Sequence, residues 1–94
     1  MLHKIKIREE FADAILNGDK TFEVRFNDRV YQKGDTVKFS VVTETGIVFN
    51  HPINEMEFDI TYVLSGWGLK KGYVAFGIRR INNDARESNP DEPV

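Results

Sequence analysis

Polar and apolar residues alternate over Leu2–Ile7, with His3, Ile5 and Ile7 on one side and Lys4 and Lys6 on the other. A period of two is that of a strand with one buried face. The period then lengthens. Phe11 and Ile15, and likewise Ala12 and Leu16, recur at i,i+4 and form one apolar stripe, which predicts a helix over about Arg8–Asn17. Glu9 and Glu10 fall in its first turn, where negative charge suits the helix dipole. Asn17-Gly18 supplies a stop, because glycine takes the left-handed position that follows a helix.

From Phe22 the period is two again. Phe22, Val24 and Phe26 point one way, toward an expected core, and Thr21, Glu23, Arg25 and Asn27 point the other. Asn27-Asp28-Arg29 opens a loop and Lys33-Gly34-Asp35 marks a turn. Val37, Phe39 and Val41 predict a further strand, with Glu44-Thr45-Gly46 closing a hairpin onto Ile47–Phe49. Pro52 ends that segment or places it at an edge. Phe58, Ile60, Tyr62 and Leu64 alternate in the next strand. Gly66-Trp67-Gly68 is a loop, and Val74, Phe76 and Ile78 share one face of a last strand from about Tyr73 to Ile81.

The order β-α-β-β-(β)-β-β predicts a mainly β fold with one helix, of the α+β class. One helix cannot cover both faces of five or six strands. A sheet curled into a small pseudo-barrel buries one face of every strand in a shared interior, with the helix plugging one end. An open sheet with the helix on one face is the alternative.

Composition narrows the chemistry. The 94 residues suffice for one domain, read here as residues 1–81. The absence of cysteine removes disulfides, thiolate metal sites and a cysteine nucleophile. His3 and His51 are too few and too scattered for a metal site, and no cofactor motif occurs. No apolar run reaches the roughly 18–20 residues of a membrane span, and the alternating N-terminus is unlike a signal peptide. The expected location is therefore the cytoplasm. The net charge is −2, but residues 82–94 carry −3 of it through Asp84, Arg86, Glu87, Asp91 and Glu92, leaving +1 for the rest. That segment, with two prolines and almost nothing apolar, reads as a disordered acidic tail. The remainder lacks the basic excess of a strong non-specific nucleic-acid binder, so an anionic partner needs a local cluster.

One segment supplies such a cluster. Glu23, Arg25 and Asn27 project from one face of one strand at successive i+2 positions, Lys20 lies where the helix stop becomes that strand, and Arg29 follows in the loop. Arg25 has a planar fork suited to a phosphate or a base edge, and Glu23 can fix its rotamer or accept from an exocyclic amine. The competing reading is an ordinary solvated sheet face, where alternating charges contribute only about 0.2–1 kcal/mol per pair.

The run Gly18-x-Lys20-x-x-Glu23-x-Arg25, placed after an amphipathic helix and opening a strand, resembles the signature of the ASCH domain (activating signal cointegrator homology), a relative of the PUA RNA-binding fold. Asn27-Asp28-Arg29, Gly34-Asp35 and Gly68-Leu69-Lys70-Lys71-Gly72-Tyr73-Val74 resemble a small bacterial and phage branch of that group without an assigned function. The likeness spans nearly all of residues 2–81 and departs mainly in Glu44–Glu55. It implies a PUA-like pseudo-barrel whose cleft is lined by the motif strand, with RNA or a nucleotide-like small molecule as ligand. Lys20 and Arg25 would meet phosphate or base, Arg29 would extend the positive rim, and Asn27 and Asp28 would hold the loop that shapes the cleft.

Some ASCH-like proteins are amidohydrolases that deacylate cytidine with a lysine-activated threonine. Here Lys20 matches the lysine, but Glu23 stands three residues on, where the threonine would be, and Thr21 faces away from Lys20. An enzyme built on Lys20 and Glu23, the carboxylate acting as base on water and the ammonium on an oxyanion, is the alternative function. A protein-binding adaptor or inhibitor using the acidic tail and the 44–55 loop is a third. Trp67, followed by Lys70 and Lys71, either stacks on a base while the lysines meet phosphate or folds back as a lid on the core. Tyr31 and Tyr73 divide between core edge and cleft. His3 is expected to be packed and His51 solvated, while Phe11, Phe22, Phe26, Phe39, Phe58 and Phe76 are expected in the core.

Overall fold

A computed structural model describes residues 1–81; the expected acidic tail at 82–94 lies outside the described residues. The elements are β1 (Leu2–Arg8), α1 (Glu9–Leu16), β2 (Phe22–Phe26), β3 (Thr36–Val42), a 3-10 turn (Pro52–Glu55), β4 (Glu57–Ser65) and β5 (Tyr73–Arg80). The five strands form one mixed sheet in the order β1-β3-β4-β5-β2. β1 and β3 run parallel, and every other pairing is antiparallel. The sheet curls into a half-barrel, the expected mainly β fold with one helix.

The inner face holds the core. His3, Ile5 and Ile7 of β1 face it beside Val37, Phe39 and Val41 of β3, and Val74, Phe76 and Ile78 of β5 complete the far wall. From the helix, Ala12 and Ile15 are buried, whereas Phe11 and Leu16 stay largely exposed. Half of the apolar stripe therefore caps the interior and half faces out.

Two departures from simple alternation rearrange the faces. In β4 the register slips between Ile60 and Tyr62, which pair with the adjacent residues Ile78 and Gly77. The extra residue, Thr61, forms a bulge, and a bulge exchanges the faces of everything beyond it. Tyr62 and Leu64, expected inside with Phe58 and Ile60, consequently turn outward, and Val63 packs against the core instead. The second departure is larger. In β2, Phe22, Val24 and Phe26 are exposed while Glu23 is buried, at 5 % exposure. The strand alternates as expected, but its polar face is the inner one.

The expected hairpin at Glu44–Phe49 shrinks to one bridge, between Val42 and Val48. His51 is buried, not solvated. Its Nδ1 accepts from the Ile53 amide at 3.1 Å, so Nε2 bears the proton and donates to Asp13 Oδ1 of α1 at 2.8 Å. That pair ties the start of the 3-10 turn to the helix. His3 is packed as expected, with Nε2 at 2.8 Å from Asp35 Oδ2.

Candidate functional site

The end of α1 places the first cation. Gly18, at φ +84°, takes the left-handed position. The Gly18 amide bonds the Ile15 carbonyl at 3.0 Å and the Asp19 amide bonds the Ala14 carbonyl at 2.9 Å, the two bonds of a Schellman cap. The Lys20 amide reaches the same Ala14 carbonyl at 3.0 Å. Lys20 is thus locked to the helix end, and its ammonium turns back over β2, lying 5.5 Å from the Phe11 ring centre and 5.3 Å from that of Phe22.

Glu23 is the hub. Its Oε2 accepts from Lys20 Nζ, and its Oε1 accepts from Arg25 Nε at 3.1 Å. Lys20 Nζ also donates to the Phe22 carbonyl at 2.7 Å. Arg25 continues across the open side of the barrel: Nη2 donates to the Lys6 carbonyl of β1 at 2.6 Å. β1 and β2 are the two edges of the sheet and do not pair, so this guanidinium bridges the seam between them. One carboxylate against two cations leaves the cluster at net +1. Arg25 Nη1 has no protein partner among the described residues.

Register locates the cluster against the core. Arg25 and Ser65 both pair with Val74, and Glu23 and Val63 both pair with Phe76. Two rows therefore cross the inner face side by side. The Ser65–Val74 row opens into a cavity of about 300 Å³, lined among others by Asn27, Lys70, Lys71 and Tyr73. The expected site residues thus fall into two neighbouring groups: a seam cluster of Lys20, Glu23 and Arg25, and a cleft with Asn27, Lys70 and Lys71. Asn27 organises its loop as expected, its amide bonding the Gly72 carbonyl at 2.8 Å and its Oδ1 accepting from the Tyr31 amide at 3.0 Å. Asp28 and Arg29 are exposed in that loop. Trp67 is 89 % exposed at φ +52° on the β4–β5 tip, so it is no lid on the core.

Tyr31 is the residue that spacing undervalued. Its ring is 4 % exposed and lies between His3, at 4.8 Å, and Phe76, at 4.7 Å. Val30, a β-branched residue at φ +52°, delivers it inward. The Tyr31 hydroxyl has no hydrogen-bond partner among the described residues. Burial chiefly raises its pKa, opposed by the positive charges of Arg25 and Arg29, so at neutral pH it is a neutral hydroxyl. The one hint in the sequence was a lone aromatic after a polar triplet. The other half of the seam, the Lys6 carbonyl, is backbone and carries no sequence signal.

No cluster of metal-ligating side chains occurs among the described residues. No helix there is long and apolar enough to cross a membrane.

The fold is similar to that of hypothetical protein PH0355, a crystal structure with a TM-score of 0.59 and 18 % identity, covering 86 % of this chain and 100 % of that one. The solution structure of protein PF0455 from Pyrococcus furiosus aligns with a TM-score of 0.49 and 16 % identity, over 87 % of this chain and 99 % of that one. Comparison with curated proteins gives no match. A family described as a domain of unknown function, DUF3850, matches residues 2–78. The chain therefore belongs to the DUF3850 family.

Proposed function

We propose that this is an ASCH-type, PUA-like domain that binds a nucleotide unit, free or within an RNA strand, on the inner face of its half-barrel. The reading is carried by one observation: the polar face of β2 points inward, where Glu23 is buried and the cluster keeps a positive charge. A solvated face would place those residues outside. Arg25 Nη1 and the Tyr31 hydroxyl offer hydrogen bonds to a base edge or phosphate oxygen. The neighbouring cleft, at about 300 Å³, lies at the small end of ligand sites. Lys70 and Lys71 in its wall, and exposed Arg29 two residues on from Asn27, offer charge to a strand's phosphates, and the exposed indole of Trp67 offers a base a stacking surface.

Binding is favoured over hydrolysis because both oxygens of Glu23 are engaged by cations. A general base needs a lone pair aimed at water within about 2.6–3.2 Å.

The test uses a short unstructured RNA and a nucleoside monophosphate as probes, followed by the fluorescence of Trp67, the only tryptophan. RNA should quench Trp67 and bind with an affinity that falls as salt rises. The monophosphate alone, followed by isothermal titration calorimetry, should bind with little change at Trp67. In both cases Arg25→Ala should weaken binding at least tenfold. No saturable response to either probe overturns the reading. Release of the acyl group from an N4-acylated cytidine, lost in Lys20→Ala, would replace it with the hydrolase.

A further inference from the structure

We infer that the outer face of β2, β5 and β4 is the contact surface of a homodimer. Beyond the bulge in β4, outward residues of this half of the sheet are apolar in successive rows, whereas the row before it pairs Asp59 with Arg79. Tyr62, Gly77 and Phe22 share one row, and Leu64, Ala75 and Val24 share the next. Tyr73 and Phe26 follow, their rings 5.6 Å apart and edge-on. None of these rows contains a charge. The other half of the same outer face is built differently: Lys4 pairs with Lys38 and Lys6 with Ser40, and Lys38 pairs onward with Glu57. A sheet that uses lysines where it meets water and phenylalanine, valine and leucine beside them has one half solvated and one half covered.

The area suits a second copy. Phe22, Phe26 and Tyr62 are 48 %, 57 % and 64 % exposed. Aromatic side chains present roughly 150–250 Å² each, so these three leave about 300 Å² uncovered. Val24, Leu64 and Tyr73 bring the apolar centre to about 400–500 Å². With a polar rim this approaches the ~800 Å² per partner of a standard interface. An uncharged patch is also self-complementary, since a two-fold axis brings no like charges together.

Other occupants fit less well. Residues 82–94 contain only Ala85 and Val94 as apolar non-proline residues, too little to cover such a face. An RNA strand would find one cation at these rings, Lys20 beside Phe22, and that ammonium is already paired with Glu23. Strand addition at the edge of β2 is obstructed, because the Phe22 carbonyl is occupied by Lys20 Nζ and the Phe26 carbonyl by the Asp28 amide. The copies therefore pack face to face, without strand pairing, and the two inner clusters lie back to back.

Sedimentation equilibrium of the full chain tests this, at up to about 100 μM, where even a micromolar dimer is almost fully assembled. Wild type should sediment at twice the chain mass. Val24→Lys and Tyr62→Lys, both at exposed positions, should each weaken association at least tenfold with unchanged circular dichroism. Lys4→Glu on the charged half should leave the dimer intact. A monomeric wild type overturns the inference whatever the variants do, and so does a dimer that survives both lysine substitutions. Because these variants leave the inner face untouched, failure here is distinguishable from failure of nucleotide binding.

Discussion

The Arg25 guanidinium and the Lys6 carbonyl meet across the open side of the half-barrel at 2.6 Å, joining two strands that share no backbone pairing. The same guanidinium holds Glu23. A residue proposed to meet ligand thus also fastens the scaffold.

Arg25→Ala should therefore cost stability as well as affinity. It removes two charge-assisted hydrogen bonds in a part-exposed setting. With about 1.5–3 kcal/mol for a hydrogen bond to a charged group, discounted for solvent, a loss of about 2 kcal/mol is expected. In a domain of this size that lowers Tm by roughly 8–16 °C. The domain should still fold at 25 °C, since such domains hold about 5–15 kcal/mol. Arg25→Lys, which keeps charge but loses the fork, should recover only part of the loss in a thermal melt.

Glu23→Gln should be at least as damaging, because it leaves two cations beside a neutral amide. Breaking a buried ion pair from one side costs about 3–5 kcal/mol. Lys20 and Arg25 retain some solvent contact, so the low end applies. Inorganic phosphate should raise the Tm of this variant more than that of wild type, by replacing the missing anion.

Asp35 sets an acid limit. Its carboxylate receives a hydrogen bond from His3, the leading cause of its lowered pKa, and further bonds from the Gln32 amide and the N-terminal ammonium. The unfolded aspartate titrates at about 4. Because the folded value lies lower, the contribution is fully present above pH 4 and is lost as pH falls below that toward the folded value. Urea midpoints should drop over that interval in wild type and drop less in Asp35→Asn.

Val30→Gly should stabilise the protein. Val30 is 62 % exposed at φ +52°, so its side chain contributes little packing while its backbone is strained. Left-handed strain of roughly 1–3 kcal/mol outweighs the added chain entropy of glycine, roughly 0.5–1 kcal/mol. A net gain of about 1 kcal/mol is expected in chemical denaturation, and the position of Tyr31 should persist by near-ultraviolet circular dichroism.

Strand periodicity carried most of this fold. The alternations in β1, β3 and β5 read directly, because each buries one face against the same core. β4 read correctly only as far as Ile60, since a bulge leaves no mark in the identity of Thr61. β2 was located but turned inside out. Hydrophobicity assigns Phe22, Val24 and Phe26 to the interior, and what overrides it is Glu23, buried between Lys20 and Arg25. Three residues of one motif satisfy each other, which no residue-by-residue hydropathy can express. His51 read as solvated because its partner, Asp13, lies 38 positions away.

The strand order has a consequence for synthesis. β1 and β2 leave the ribosome before the other described strands, separated only by the helix, yet end at opposite margins of the sheet. Among the described strands β2 pairs with β5 alone, and β5 is the last of them to be made. A nascent or truncated chain that stops before Tyr73 leaves Glu23 and both its cations unassembled, so the proposed ligand would find nothing to grip. Occupancy of this pocket would thus certify that translation had run through β5.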